Sequence, residues 1–296
     1  ARGIAEVRHL STDMCAAHRL RVLDEMRAEL DSGRPVLCVS TQLIEAGVDI
    51  SFGAAVRFLA GLDSIVQTAG RCNRNGESKD GRPGQVHVIN PDHENLSRLR
   101  EIKTGREMTL RVLNDFRKEP DSLGGSLLHP KAMERYFTYA FFDRRDEMAY
   151  PVSAKEAGHG DTLFNLLSCN PLNPGNMGAK AALRQSFATA GEIFTVIDAP
   201  TVGVLVPYGE GAEIIARLCG VFDPQQEKTL LRRAQRYSVN VFPNVFEELQ
   251  KAQVLHETQK GSGVWYLDAR HYSGRFGISA TKVEEMAPLI CDGGVL

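Results

Sequence analysis

A short apolar run, Val36-Leu37-Cys38-Val39, passes directly into a polar loop, Ser40 to Asp49, and this junction constrains the fold more than any other stretch. A continuous run of this kind marks a strand buried on both faces of a parallel sheet. Ala54–Leu59 predicts a second strand and Gln85–Asn90 a third, with helical patterning between the first two and the last. Parallel neighbours need a crossover, so strands alternating with helices specify an α/β layer. Upstream, Ile4–Leu10 predicts a strand, and Ser11, Thr12 and Asp13 are cap candidates for a helix running to Ser32. Its apolar positions Leu20, Leu23, Met26 and Leu30 recur at helical spacing, and Gly33 and Pro35 close it.

The 296 residues give room for about two domains. The expected division is a sheet domain over 1–95, a helical linker over 96–150 and a small α/β accessory domain over 151–296. In the linker, Leu96, Leu99, Ile102, Leu110, Leu113 and Phe116 form an apolar stripe on a helix from Glu94 to Arg117. A break from Pro120 to Pro130 precedes a helix over Lys131–Phe142, whose Tyr136, Phe137, Tyr139, Phe141 and Phe142 read as domain packing. In the tail, helices are expected over Asp161–Cys169, Ala179–Ala190, Ala212–Leu218 and Gln225–Arg236. A hairpin of Ile193–Ile197 with Val202–Val206 and strands at Tyr237–Phe242, Val254–Glu257 and Val264–Asp268 complete it.

A formal charge of −2 argues against a globally basic nucleic-acid binder, while leaving room for a local positive groove. Apolar runs are too short to span a bilayer, and the opening residues are no signal peptide, so no membrane partner is expected. Six scattered cysteines without a Cys-x-x-Cys pair suit the reduced thiols of a cytoplasmic protein. An opening without methionine that already reads as a strand suggests a piece of a longer protein.

The chemistry gathers in two segments. In Gln67-Thr68-Ala69-Gly70-Arg71-Cys72-Asn73-Arg74, helical geometry would put Gln67, Arg71 and Arg74 on one face, and Gly70 would let a partner surface come close. Two guanidiniums so placed suit charge stabilisation on a γ-phosphate. The plainer alternative is a capping box of Ser64 and Gln67 beside solvated arginines. The upstream loop favours the first reading: Thr41 suits a DNA phosphate, Gly47 allows close backbone approach, and Asp49 suits a ribose hydroxyl or an arginine. Together they read as the trailing half of a nucleotide-driven motor.

At these residues the sequence resembles a known family. Ser40 to Phe52 is similar to motif V, and Gln67 to Gly76 to motif VI, of superfamily 2 helicases. With His9 to Arg19, the wording resembles the CRISPR-associated helicase–nuclease of type I systems, and the compact tail suggests subtype I-C. Phe187–Glu192 and Ala199–Val202 resemble that family's accessory domain more weakly. The resemblance implies a partial RecA-like second motor domain, a helical linker and an accessory domain. It implies ATP with Mg²⁺ as cofactor, and single-stranded DNA and an RNA-guided surveillance complex as partners. By position, Arg71 and Arg74 would be arginine fingers; Gln67, Gly47 and Asp49 would meet ATP; Thr41, Ser11, Thr12 and His18 would meet DNA.

One departure is large. No Gly-x-x-x-x-Gly-Lys-Ser/Thr loop is present, and the lookalike Gly175 to Ala181 has the wrong spacing and no hydroxyl after its lysine. Asp146-Glu147 lacks the preceding apolar strand of a magnesium-binding motif, and the histidines are dispersed without a His-Asp pair. The first motor domain and the nuclease domain with its metals are therefore expected outside this chain. Arg232, Arg233 and Arg236 read as a solvated face rather than a phosphate patch, with Lys180 and Arg184 read the same way. Two alternatives remain: a non-catalytic module that docks on the surveillance complex or clamps DNA, and part of an unrelated superfamily 2 RNA helicase.

Overall fold

The computed structural model describes residues 6–45, 47–76, 81–97, 99–172, 184–195 and 200–280. Its strands are β1 (Glu6–Leu10), β2 (Val36–Ser40), β3 (Ala54–Phe58), β4 (Gln85–Ile89), β5 (Pro151–Val152) and β6 (Asp161–Thr162). They continue with β7 (Val202–Leu205), β8 (Ser238–Val241), β9 (Leu255–Glu257), β10 (Trp265–Leu267), β11 (Tyr272–Ser273) and β12 (Gly277–Ile278). The helices are α1 (Ala16–Asp31), α2 (Leu62–Ala69), α3 (Arg100–Lys118), α4 (Pro130–Asp143), α5 (Arg145–Met148) and α6 (Ala154–Ala157). They end with α7 (Leu163–Leu167), α8 (Phe187–Ile193), α9 (Gly211–Gly220), α10 (Pro224–Ala234) and α11 (Pro243–Lys251). This is the expected α/β class. Contacts divide the chain into one unit of Ala1–Ile50 with Ala199–Leu296 and another of Ser51–Asp198.

In the first unit, β1 and β2 pair in parallel, Leu10 opposite Ser40, with α1 as the crossover. Leu37 and Val39 are 52% and 54% exposed, so β2 is covered on one face only, not both as its unbroken apolar run suggests. A pair with a single crossover helix has no second layer for the other face. The N-cap of α1 is Cys15, with no side-chain cap; Ser11 Oγ instead accepts the Asp13 amide at 3.3 Å. The buried side of α1 is His18, Val22, Leu23, Met26 and Glu29, whereas Leu20 faces solvent. Glu29 belongs inside because Arg8 of β1 pairs with it.

A second sheet in this unit runs β8-β7-β10-β9. β7 is parallel to β10 and antiparallel to β8, so the expected hairpin with Ile193–Ile197 does not form: Ile193 ends α8, and 196–199 lie outside the described residues. Val204, Val206, Val239, Val241, Leu249 and Leu267 form its core, and the fully buried Cys15 joins them. The small antiparallel pair β11–β12 has no counterpart in the sequence reading.

The second unit holds the parallel pair β3–β4, with α2 as crossover. The buried side of α3 is Gly105, Met108, Thr109 and Val112, while Leu99 and Leu110 of the expected stripe are exposed. On α4 only Tyr136 of the aromatic row is buried; Phe137, Phe141 and Phe142 are exposed. The expected helix over Asp161–Cys169 starts only at Leu163. Asp161 Oδ1 accepts the Thr162 amide and the Asn165 side chain, both at 2.8 Å, which turns the chain before α7 begins. Of the expected helix Ala179–Ala190, residues 179–183 lie outside the described residues, and α8 starts at Phe187. No described helix is long and apolar enough to cross a membrane.

Candidate functional site

In a parallel pair both strands end on the same side, and loops at carboxyl ends are where α/β sheets bind ligands. In the first unit those loops are Ser11–Cys15 after β1 and Thr41 onward after β2. The register continues past the strands: the Thr41 amide donates to the Leu10 carbonyl at 3.1 Å, which holds the two loops side by side. Thr12 and Thr41 are exposed, whereas Ser11 is 2% exposed. After Thr41 a single turn of 3-10 helix, Gln42–Ile44, leads to Gly47, which takes φ +72° with nothing near its α-carbon. Backbone conformation, not local crowding, requires the glycine there. Asp49 is exposed, and its carbonyl accepts from Arg27 Nε at 3.0 Å.

His18 lies beneath the β1 loop, 1% exposed and stacked on Tyr208 with ring centroids 4.3 Å apart. Its Nε2 sits 3.0 Å from the Gly274 carbonyl, which only accepts, so Nε2 carries the proton. Nδ1 then accepts from the Tyr272 hydroxyl at 2.9 Å, and that oxygen accepts the Cys15 amide at 3.2 Å. Burial lowers the His18 pKa most, opposed by the Gly274 bond; Arg21 and His9 lower it further and Glu25 raises it. A folded-state pKa below the unfolded value means that the unfolded chain binds more protons in acid. Stability should therefore fall as pH drops below about 6.5, the ordinary histidine value. Burial lowers the His9 pKa too, so part of this slope is its own. Thermal unfolding between pH 7.5 and 5.5 should show a falling midpoint, and His18→Gln should flatten that slope; an unchanged slope would refute the assignment.

In the second unit the residues from Gln67 to Arg74 do not form one helix. α2 ends at Ala69 with Gly70 as its C-cap, so of Gln67, Arg71 and Arg74 only Gln67, exposed near its end, lies within it. Phe52 then captures the chain in a parallel bridge with Cys72: its amide donates to the Arg71 carbonyl and its carbonyl accepts from Asn73, both at 2.8 Å. Asn73 takes φ +48°, and the Arg74 amide donates to Ser51 Oγ at 3.0 Å. Arg71 is half-buried and Arg74 exposed, each placed by a turn rather than by helical spacing. A Cβ on Gly70 would meet nothing closer than the Gln67 carbonyl at 3.4 Å, so packing within this chain does not demand a glycine there. The capping-box alternative fails: the N-cap is Gly61, and Ser64 is a buried acceptor for Arg57 at 2.9 Å. Arg57 is a contact that periodicity gave no means of finding, because its partner is set by the crossover from β3 to α2.

Cys15, Cys38, Cys72, Cys169 and Cys219 are free thiols, and burial pushes Cys38 up to about 11. Among the described residues no group of three or more His, Cys, Asp and Glu is arranged to hold a metal ion.

Polar loops at the carboxyl ends of a parallel pair define an α/β protein with a strand-end site, and the segment that carries those loops is similar to a known family. Residues 3–77 match the family model described as "CRISPR-associated nuclease/helicase Cas3, C-terminal". A CRISPR-associated nuclease/helicase Cas3 of Haloferax volcanii is 49% identical over 80 residues, 25% of this chain and 8% of that protein. Over this segment the chain is similar to the Cas3 helicase–nuclease family. Among solved structures, T. fusca Cas3 with ATP is 14% identical with a TM-score of 0.47, over 81% of this chain and 29% of that one. T. fusca Cas3 with ADP is 16% identical with a TM-score of 0.44, over 89% and 32% respectively. The chain thus spans less than a third of the length of these relatives.

Proposed function

We propose that this chain is the C-terminal portion of an ATP-driven single-stranded-DNA translocase and nuclease that degrades invading DNA in type I CRISPR interference. It would be recruited by an RNA-guided surveillance complex. The match of residues 3–77 to that family model supports the class of activity. The observation that carries the DNA reading is the pair of adjacent loops held together by the Thr41–Leu10 bond, with the side chains of Thr12 and Thr41 exposed. Hydroxyls and amides at strand ends position a phosphodiester backbone without reading bases, which suits a motor that must move along any sequence. Thr12 and Thr41 would meet DNA on this side, with the buried Ser11 and His18 behind them. By their positions in the two motifs, Gln67, Gly47, Asp49, Arg71 and Arg74 would each meet the nucleotide. The phosphate loop, the magnesium ligands and the nuclease metals would lie in a first motor domain and a nuclease domain outside these 296 residues. When bound, ATP with Mg²⁺ would supply the phosphoryl-transfer energy. This chain's part would be to offer guanidinium charge to the γ-phosphate and to couple that contact to DNA.

Titrating a fluorescent oligo-dT into the chain tests the DNA side. Binding should weaken as salt rises, and Thr41→Ala should weaken it roughly fivefold, the worth of one hydrogen bond. Equal binding by Thr41→Ala would overturn the assignment. Stronger capture of oligo-U than oligo-dT would instead favour an RNA helicase.

A further inference from the structure

The loop after β1 is held from behind by the β11–β12 hairpin, which enters the chain more than 250 residues later in sequence. Four contacts fix it. The Tyr272 hydroxyl accepts the Cys15 amide and meets His18 Nδ1; the Gly274 carbonyl accepts from His18 Nε2; the Ile278 amide donates to the Asp13 carbonyl at 2.9 Å. Gly277 lies directly on that carbonyl: a Cβ there would stand 2.1 Å from Asp13 O and 2.8 Å from the Met14 amide, and its φ is +90°. Only glycine permits both the conformation and the approach. Ring contact of Phe276 with His9, 5.3 Å between centroids, extends the hold to β1 itself.

Cys15, His18, Tyr272 and Gly277 of this clamp are buried, whereas Thr12 and Asp13 of the loop remain exposed. We infer that the β11–β12 hairpin is a positioning element for the DNA-contacting loop, with Tyr272, Gly277 and His18 as positioning residues that act through the backbone of Asp13–Cys15. An exposed hydroxyl such as that of Thr12 can hold a phosphate only if the backbone that carries it is fixed, and this loop makes no regular ladder that would fix it. The hairpin supplies that constraint. The inference rests on the DNA reading of the loop given above, and it adds a role for a part of the chain that lies outside the recognisable motifs.

The test uses the full chain, oligo-dT binding, and thiol alkylation at Cys15, which is fully buried beneath the Tyr272 hydroxyl. Tyr272→Phe keeps the ring and removes the bridging oxygen. It should speed alkylation of Cys15 and weaken oligo-dT binding roughly fivefold at an almost unchanged fold by circular dichroism. Gly277→Ala should do the same by displacing Asp13. In a Thr12→Ala background the Tyr272→Phe effect on binding should largely vanish, because both changes act on one loop. A general loss of stability would not show that dependence. If Thr12→Ala weakens binding but Tyr272→Phe and Gly277→Ala do not, the positioning role is wrong and the DNA reading stands. If Thr12→Ala leaves binding unchanged, the DNA reading of the loop falls and the inference with it. If the two effects simply add, the hairpin acts elsewhere and the inference is overturned.

Discussion

In the intact parent protein, Arg74→Ala or Arg71→Ala should lower DNA-stimulated ATP hydrolysis by about a thousandfold or more and leave oligonucleotide binding within about twofold. The magnitude follows from the role: a guanidinium that reaches a transferring phosphoryl group stabilises charge spread over its oxygens, and its removal costs 10³ to 10⁵ in rate. The direction of the effect on DNA is separate, because the arginines lie on a turn following α2 and the hydroxyl-bearing loops follow β1 and β2. Lysine at either position keeps the charge and loses the planar fork, so it should restore only a small part of the rate. The placement gives a second check. Arg74 leaves a turn tied by its own amide to Ser51 Oγ, so Ser51→Ala should lower hydrolysis modestly in the same assay. The chain alone should not turn over ATP, having no phosphate loop. Unchanged hydrolysis in the arginine variants, or turnover by the isolated chain that Arg74→Ala abolishes, would remove the finger assignment.

The alternation of apolar runs and helical stripes was enough to place β2, β3, β4, α1 and α4 to within a few residues, since each is long enough to show its period, whereas α3 starts at Arg100 and not at the expected Glu94. What periodicity could not give was which face is buried. Leu20 and Leu110 fit their stripes and face solvent, while His18, Glu29 and Thr109 do not fit and are buried. In each case a distant partner decides: Tyr272 for His18, Arg8 for Glu29, and the Ala60 carbonyl, 2.7 Å from the Thr109 hydroxyl. The site shows the same split. The residue types of Gln67 to Arg74 were legible as a cluster of function, but not their geometry, because Phe52 and Asn73 break the helix there through a bridge that no local propensity encodes. The β11–β12 pair escaped altogether. Two-residue strands carry no period, and their importance lies wholly in what they touch.

Gly105→Leu should destabilise the second unit by about 3 kcal/mol, lowering the thermal midpoint by roughly 10 °C. In an exposed helix, replacing glycine gains up to about 1 kcal/mol, so a midpoint that rises or stays level would show that the position is not crowded. The geometry argues against that. A Cβ on Gly105 would lie 2.9 Å from Gly61 Cα, 3.0 Å from its nitrogen and 3.3 Å from the Tyr136 hydroxyl, so two backbones meet with no side chain between them. Gly61 is equally confined, since its own Cβ would stand 2.5 Å from the same hydroxyl. Burial, and then the Asp63 carboxylate, push the Tyr136 phenol pKa up, which keeps it neutral at that junction. One turn along α3, Thr109 bonds Ala60, and Leu62 enters the core with Met108, Val112 and Tyr136. The start of α2 is therefore fixed at consecutive positions 60 to 62, and neither backbone can yield alone. Because α2 leads into Arg71 and Arg74, a leucine side chain at 105 should also reduce hydrolysis in the intact protein below the loss expected from stability alone. Gly105→Ala, whose Cβ alone would already stand 2.9 Å from that backbone, should be destabilised too, by less than the leucine variant.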